Sequence, residues 1–577
     1  MVITANSPKF DKRQPSRGDY DAIVYIEGSE VVAEDSNGRK IASGVAGTDD
    51  ATVLSASLDC GSTLIRPSTK LVIDTPISKT SGIQLIGSGE TSIISRGASV
   101  VAPSLTIGGT VSSTQLSIVD TIGAGGMNIT LTDASSLVIG DYIEIMELNS
   151  INYTSINRVY DIIDDVVIIE TPLVWGVIGG VSYCKKVSSM IDSPVICNIL
   201  FQDEQLSGTA KSSNIILDTT SDAHLQNIFF GDVYGYSCLL LRRCYRAGIH
   251  EFDINSCIDA VTPNNLGYGI STESGSNWIS ISHGDVRRTR HAITGDKSYN
   301  INISDVVVAG YNQNSSSAFD THQYMKNVQY NNCQVFNCYG GINVMAACVT
   351  VNNFVIDGYN DAGIHVQSGA TDFIGSNIRL RNINNWVSSA WHCPLILFGD
   401  RASISNVFIE QDILPINPVS RAVNIDGTDV KLANIHIASV IENSFNHGIE
   451  GINVSGLLIN GGRLSLQCVN QEMELLDCVD CVIRDFDMTD MTIVVTGDIK
   501  IANCFGYPTD ASGSSTGTGS EQAIPHGLAA IPAGCKAWIK IEYPVGSGRY
   551  ITKDISYDAT NVYPTVDNGV AFEWGIA

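Results

Sequence analysis

Between residues 223 and 506 one phrase recurs twelve times: apolar, any, apolar, any, turn residue, apolar, any, apolar. It reads Val349-x-Val351-x-Asn353-Phe354-x-Ile356 in one copy and Val430-x-Leu432-x-Asn434-Ile435-x-Ile437 in another, and the copies start 18 to 32 residues apart. The fifth position is Asn in seven copies (Asn227, Asn332, Asn353, Asn377, Asn406, Asn434, Asn503) and Asp at Asp305 and Asp485. Alternation with period two marks a strand with one buried face. An Asn between two such strands fits a left-handed residue at a corner. Stacked copies of two strands and a corner describe a coil, the parallel β-helix, in which each winding bonds to the next. The variable step, with no fixed Leu or Gly template, argues against leucine-rich and hexapeptide solenoids.

Composition agrees with an all-β chain carrying an acidic surface. Asp and Glu number 60 against 34 Lys and Arg, a net charge of −26 that disfavours nucleic acid and anionic membrane as partners. Cys333, Cys481 and Cys504 occupy apolar slots of the phrase and read as core residues. Cys478-x-x-Cys481 has no second pair at zinc spacing and reads as packing. No metal or cofactor is expected. Residues 1–18 lack the apolar stretch of a secretion signal, and no run reaches membrane length, so synthesis in the cytoplasm without membrane insertion is expected.

Residues 1–45 carry a hairpin signal around Glu27-Gly28-Ser29, followed by a turn at Asn37-Gly38, and suit an attachment segment. In 46–101, Asp49 or Asp50 is expected to cap a short helix with Val53, Leu54 and Ala56 inward, closing the coil's open end before its first rungs. Residues 102–185 break the rhythm and read as an inserted β-domain, 186–508 as the main helix, 509–520 as a flexible Gly/Ser linker and 521–577 as a C-terminal β-module. In that module His526 reads as a turn residue, and Trp538 and Trp574 as core.

The Gly47-Thr48-Asp49-Asp50 cap, the Val138-Ile139-Gly140-Asp141-Tyr142 insertion and the linked C-terminal module resemble the tailspikes and tail fibres of phages and archaeal viruses, within the pectin-lyase-like group. The resemblance implies a right-handed single-stranded parallel β-helix with an inserted β-domain and a β-sandwich-like C-terminal module. It further implies a homotrimer on a virion tail, joined to a tail or baseplate protein through its N-terminus. Such a protein binds, and often cleaves, a host surface polysaccharide outside the cell.

Between copies of the phrase lies a third strand of the form small, apolar, polar: Gly269-Ile270-Ser271, Ala292-Ile293-Thr294, Ala318-Phe319-Asp320, Gly341-Ile342-Asn343 and Gly363-Ile364-His365. Alternation sends the middle residue inward and both neighbours outward. The small residues then form a smooth floor beside two polar columns, Ser271 to His365 and, two positions on, Glu273, Asp296, His322, Met345 and Gln367. Rungs lie roughly 4.8 Å apart. Carboxylates one rung apart can therefore meet the ~5 Å separation of retaining glycosidases, and two rungs apart the ~6.5–9.5 Å of inverting ones.

On this reading Glu273, Asp296, Asp320 and His322 are the candidate catalytic residues, with Arg290, His291, Asn343 and His365 binding substrate. The expected function is recognition and depolymerisation of a glycan, by hydrolysis or elimination. A binding-only adhesin or fibre, or a free pectinase-like enzyme, is the alternative.

Overall fold

In every described copy of the phrase the fifth residue is left-handed. Asn227, Glu251, His283, Asp305, Asn332, Asn353, Asn377, Asn406, Asn434, Gly456 and Asp485 have φ of 52° to 68°. Asn dominates because its short amide tolerates this region. It also stacks: the Asn434 amide donates to Asn406 at 2.9 Å and Asn406 to Asn377 at 3.1 Å, so consecutive corners bond to one another. Glu251 and His283 adopt the same conformation because the rungs either side fix it. Asn503 lies outside the described residues.

The computed structural model describes residues 20–149, 153–204, 211–258, 267–310, 317–383, 393–413, 415, 419–441, 444–489, 491–502, 504, 511–525, 536–542, 549–558 and 561–576. The chain divides into two compact units, the first ending at Ile301 and the second beginning at Asn302. In the first, His224–Tyr234 pairs in parallel with Val195–Asp203 and with Gly248–Ile258, while the third strands Leu105–Gly108, Ile215–Asp218, Ser237–Arg242, Tyr268–Glu273 and Ile293–Gly295 pair in the same sequence. In the second, Ala347–Tyr359, Ile374–Ile383, Ser403–Gln411, Lys431–Ser439 and Leu458–Ser465 follow one another in parallel register. Alternate residues of these strands are buried, Ile254 in the first unit and Val351, Ile356, Ile378 and Ile437 in the second. Each unit therefore carries a parallel β-helix.

At the start, Ala22–Glu27, Glu30–Asp35 and Lys40–Val45 form an antiparallel meander whose first strand also pairs in parallel with Ser62–Ile65. The helix Asp50–Leu58 buries Val53 and Leu54 as expected, with Leu58 rather than Ala56 completing the apolar face. Asp49 is its N-cap by position, but its carboxylate accepts from Val45 N at 2.7 Å instead of from the helix. Asp50 binds Gly47 N and Val72 N at 2.9 and 2.7 Å, tying the helix to the first rung.

The insertion is a seven-stranded antiparallel sheet between Thr110 and Ser189, around Ile129, Ile143, Ile145, Val167 and Ile169. Leu105–Gly108, within the span read as insertion, pairs with Ile215–Asp218 and belongs to the helix. The sheet docks on the helix through Tyr142 and Tyr245, whose rings meet edge to face at 5.6 Å, and through Asn277 Nδ2, which donates to Ile156 O at 3.1 Å.

A further correction concerns residues 509–520. Instead of a linker, they hold the strand Ala511–Thr516, paired antiparallel with Ala571–Ile576 in a six-stranded sheet. Small residues are needed there because a Cβ on Gly513 would lie 2.9 Å from the Trp574 indole. Trp574 packs in the core of this sheet with Ile539 and Phe572, and His526 lies outside the described residues.

The described cysteines are all free thiols, and Cys333, Cys478 and Cys481 are buried in the helix core. No helix among the described residues is long and apolar enough to cross a membrane.

Candidate functional site

The third strands stack as their spacing requires. Ser271 pairs with Thr294 in the first unit; Asp320 pairs with Asn343, and Asn343 with His365, in the second. Four of the eight candidate residues (Glu273, Arg290, His291, Asp296) belong to the first unit. Asp320, His322, Asn343 and His365 belong to the second.

The smooth outward floor is not there. A Cβ on Gly341 would lie 2.2 Å from both Gly363 O and the core atom Ile356 Cδ1, and Ala292 and Ala318 are buried. These small residues point inward at a tight corner, where only a hydrogen or methyl fits beneath the next rung. Three residues of the column beside them are also enclosed, Ser271, Thr294 and Asp320 being only 2, 4 and 3 % exposed, while Asn343 and His365 are half-buried. Polar contact with solvent passes instead to the residues two positions further on.

In the first unit those residues border an aromatic ladder. Tyr236 and Tyr268 meet edge to face at 5.0 Å, and His291 stacks on Tyr268 at 5.5 Å with ring planes 6° apart. Arg290 lies over the Tyr268 ring at 5.6 Å. Glu273 accepts hydrogen bonds from the Tyr236 hydroxyl at 2.9 Å and from Ser271 Oγ at 3.1 Å. Burial, reinforced by Glu273, raises the Tyr236 phenol well above its ordinary value, so it stays a neutral donor. Glu273 and Asp296 directly follow the paired residues Thr272 and Gly295, which sets them on neighbouring rungs. Lys297 Nζ lies 3.9 Å from the Asp296 carboxylate.

In the second unit Asp320 is a positioning group. Asn343 Nδ2 donates to its Oδ1 at 2.7 Å, and His322 Nε2 lies 2.9 Å from its Oδ2. Gln367 Nε2 extends the chain to Asn343 Oδ1 at 2.7 Å. The Asp320 side chain is 4 % exposed and that of His322 43 %, so the imidazole meets solvent and the carboxylate orients it.

His365, next in the column, packs edge to face on Phe398 at 5.9 Å, and burial pushes its pKa down to about 4. It is neutral at pH 7. An ordinary histidine titrates near ~6.5, so between that value and about 4 the unfolded chain binds the proton and the folded chain does not. Stability should therefore fall as pH drops through this window and be unaffected by His365 above it. Urea midpoints from pH 4 to 7 should show this slope in the wild type, with a smaller slope in His365→Asn; equal slopes would refute the assignment.

One group escaped the reading of the sequence. The His365 column continues through Ile396 and Asn424 to Glu450 and Glu474, which are register partners. Gly448-Ile449-Glu450 carries the same small-apolar-polar signal as the five third strands singled out earlier. Apolar Ile396 hid the continuation. Arg421 Nη2 binds Glu450 Oε1 at 2.5 Å, and His447 Nδ1 faces both carboxylates.

No protein-family model and no curated protein sequence matches the chain. Among solved structures it is similar to the tailspike protein gp49 of Pseudomonas phage LKA1, at 15 % identity and a TM-score of 0.59 over 91 % of this chain and 92 % of that one. It is also similar to the tailspike gp61 of Pseudomonas phage phi297, at 14 % identity and a TM-score of 0.55 over 91 % of each chain. The fold is the parallel β-helix that these tailspikes share.

Proposed function

We propose that the chain is a tailspike-type receptor-binding protein of a virion tail, which recognises a host surface polysaccharide and cleaves it. The observation that carries the reading is the ladder Tyr236–Tyr268–His291 with Glu273 and Asp296 along its side. Sugar rings present apolar C–H faces that lie on aromatic rings, and hydroxyl edges that donate to carboxylates. Tyr236 is 46 % exposed and offers the first such surface. The tailspike fold over nine-tenths of the chain supports a tail location, a trimeric assembly and attachment through the N-terminus.

Cleavage is assigned to Glu273 and Asp296. Their rungs are roughly 4.8 Å apart, close to the ~5 Å spacing of a retaining carboxylate pair. Asp296, beside Lys297, is the proposed nucleophile or base. Glu273, held in place by the Tyr236 and Ser271 hydroxyls, is the proposed acid. In the second unit His322, oriented by Asp320, is a separate hydrogen-bonding group for glycan. The tight use of Asp320 by Asn343 and His322 favours, as a second reading, a protein that binds without cleaving.

The test is incubation with purified bacterial surface polysaccharides, read by chain length and by affinity. Tyr236→Ala should weaken binding about tenfold, the equivalent of ~1.4 kcal/mol. Glu273→Gln and Asp296→Asn should stop shortening while binding persists. Binding without shortening by the wild type would establish the second reading. Unchanged affinity in Tyr236→Ala would remove the site from this ladder.

A further inference from the structure

We propose that His447, Glu450 and Glu474, in the second unit, form a binding site for a divalent transition-metal ion such as Zn²⁺ or Mn²⁺. The site is independent of the glycan reading.

The ligand set is assembled by strand register. Glu450, in Phe445–Ile452, and Glu474, in Cys468–Asp487, are direct partners on adjacent strands, so their carboxylates are stacked one rung apart. Between Phe445 and His447 the register shifts, the neighbouring strand advancing from Cys468 to Gln471 while this one advances two residues. Such bulges re-aim side chains. His447 Nδ1 lies 3.2 Å from Glu474 Oε2 and 3.6 Å from Glu450 Oε2, and donor atoms of the three residues lie within 4.8 Å of one another.

Two further observations separate this group from ordinary surface acids. The Glu450 side chain is only 6 % exposed, and those of His447 and Glu474 are 15 and 18 % exposed. His447 Nδ1 is enclosed, and despite the 3.2 Å approach its angle to Glu474 does not make a hydrogen bond. Two stacked carboxylates repel each other; Arg421 pairs with Glu450 Oε1, and Glu450 Oε2 lies 3.6 Å from His447 Nδ1. A dication among Nδ1 and the two carboxylates relieves that repulsion.

Two of the three ligands also have an outer partner of the sort that holds metal ligands in place. Arg421 fixes Glu450, and the Asn470 amide lies 3.0 Å from His447 Nε2. Turning that amide over places its oxygen on Nε2–H and leaves Nδ1 as the free lone pair. One imidazole nitrogen with two carboxylate oxygens suits Zn²⁺ or Mn²⁺, whereas Ca²⁺ takes roughly six to eight oxygens. Three protein ligands leave a position for water or a ligand oxygen.

Calorimetric titration of the metal-stripped full chain with ZnCl₂ should show one site of micromolar or tighter affinity. His447→Ala and the near-isosteric Glu474→Gln should each weaken it at least tenfold, while Glu410→Gln, altering an acid elsewhere on the second unit, should leave it unchanged. Co²⁺ in place of Zn²⁺ should give the intense visible absorption of a low-coordinate site, which is lost in Glu474→Gln. Absence of binding by the wild type, or binding of equal strength in both ligand variants, would overturn the proposal.

Discussion

Arg96→Ala is expected to remove about 3–5 kcal/mol of stability, the cost of stranding one member of a buried ion pair. Arg96 and Asp203, register partners in the first unit, have side chains that are both 0 % exposed. The guanidinium binds the carboxylate through two bonds of 2.8 and 2.6 Å and also donates to Ala102 O, Ser212 O, Ser213 O and Tyr234 O. Asp203 in turn accepts from Asn214 Nδ2 at 2.9 Å and Tyr234 N at 2.7 Å. Arg96 thus ties the end of one rung to the chain that begins the next third strand. In Arg96→Ala, Asp203 is left buried without its cationic partner while four carbonyls lose a donor. Replacing both partners by apolar residues often restores stability at a simple ion pair, yet Arg96→Met with Asp203→Leu should recover only part here, because the carbonyls remain unserved. Urea unfolding followed by tryptophan fluorescence measures both variants. A loss below about 1 kcal/mol in Arg96→Ala would show that the pair is not closed in solution.

Phe319→Ala should cost a comparable ~3–5 kcal/mol and act on the candidate site as well. Phe319 is fully buried in the second unit, edge to face with Tyr330 at 5.2 Å and with Phe354 at 5.8 Å. It is also the inward residue whose alternation turns Asp320 outward, between Asn343 and His322. Removing the ring leaves a cavity under that strand and loosens the carboxylate that orients the imidazole. The expected result is a lowered urea midpoint together with a shifted His322 titration by NMR. Asp320→Asn should move the His322 titration with a much smaller loss of stability. A destabilised Phe319→Ala with an unchanged His322 titration would mean that core and dyad are uncoupled.

The coil was legible because one physical constraint repeats in the sequence. A left-handed corner every rung selects Asn, and the flanking period-two alternation survives variable loop lengths. Where the residue at the corner was Glu251 or His283 the conformation was not legible, since neither favours it; neighbouring rungs impose it. The register of Ser271 with Thr294, and of Asp320 with Asn343 and His365, followed from spacing alone. Side-chain direction at the start of the third strand did not, because strict alternation fails at a corner and Gly341 turns inward with its neighbour Ile342. Composition misled at 511–516, where small residues make room for Trp574 rather than for motion. The pairing of Tyr236 with Tyr268 and His291 was hidden because these residues precede the strand signal and meet only across rungs.

Hydrogen–deuterium exchange of the full chain, with and without a bound surface polysaccharide, tests most directly whether this coil recognises glycan through its third strands. Protection is expected along Ser237–Arg242 and Tyr268–Glu273, where the aromatic ladder begins, and at Gly340–Val344, beside the Asp320–His322 dyad. Protection confined to the inserted seven-stranded sheet or to the C-terminal sheet, with these strands unchanged, would contradict the account.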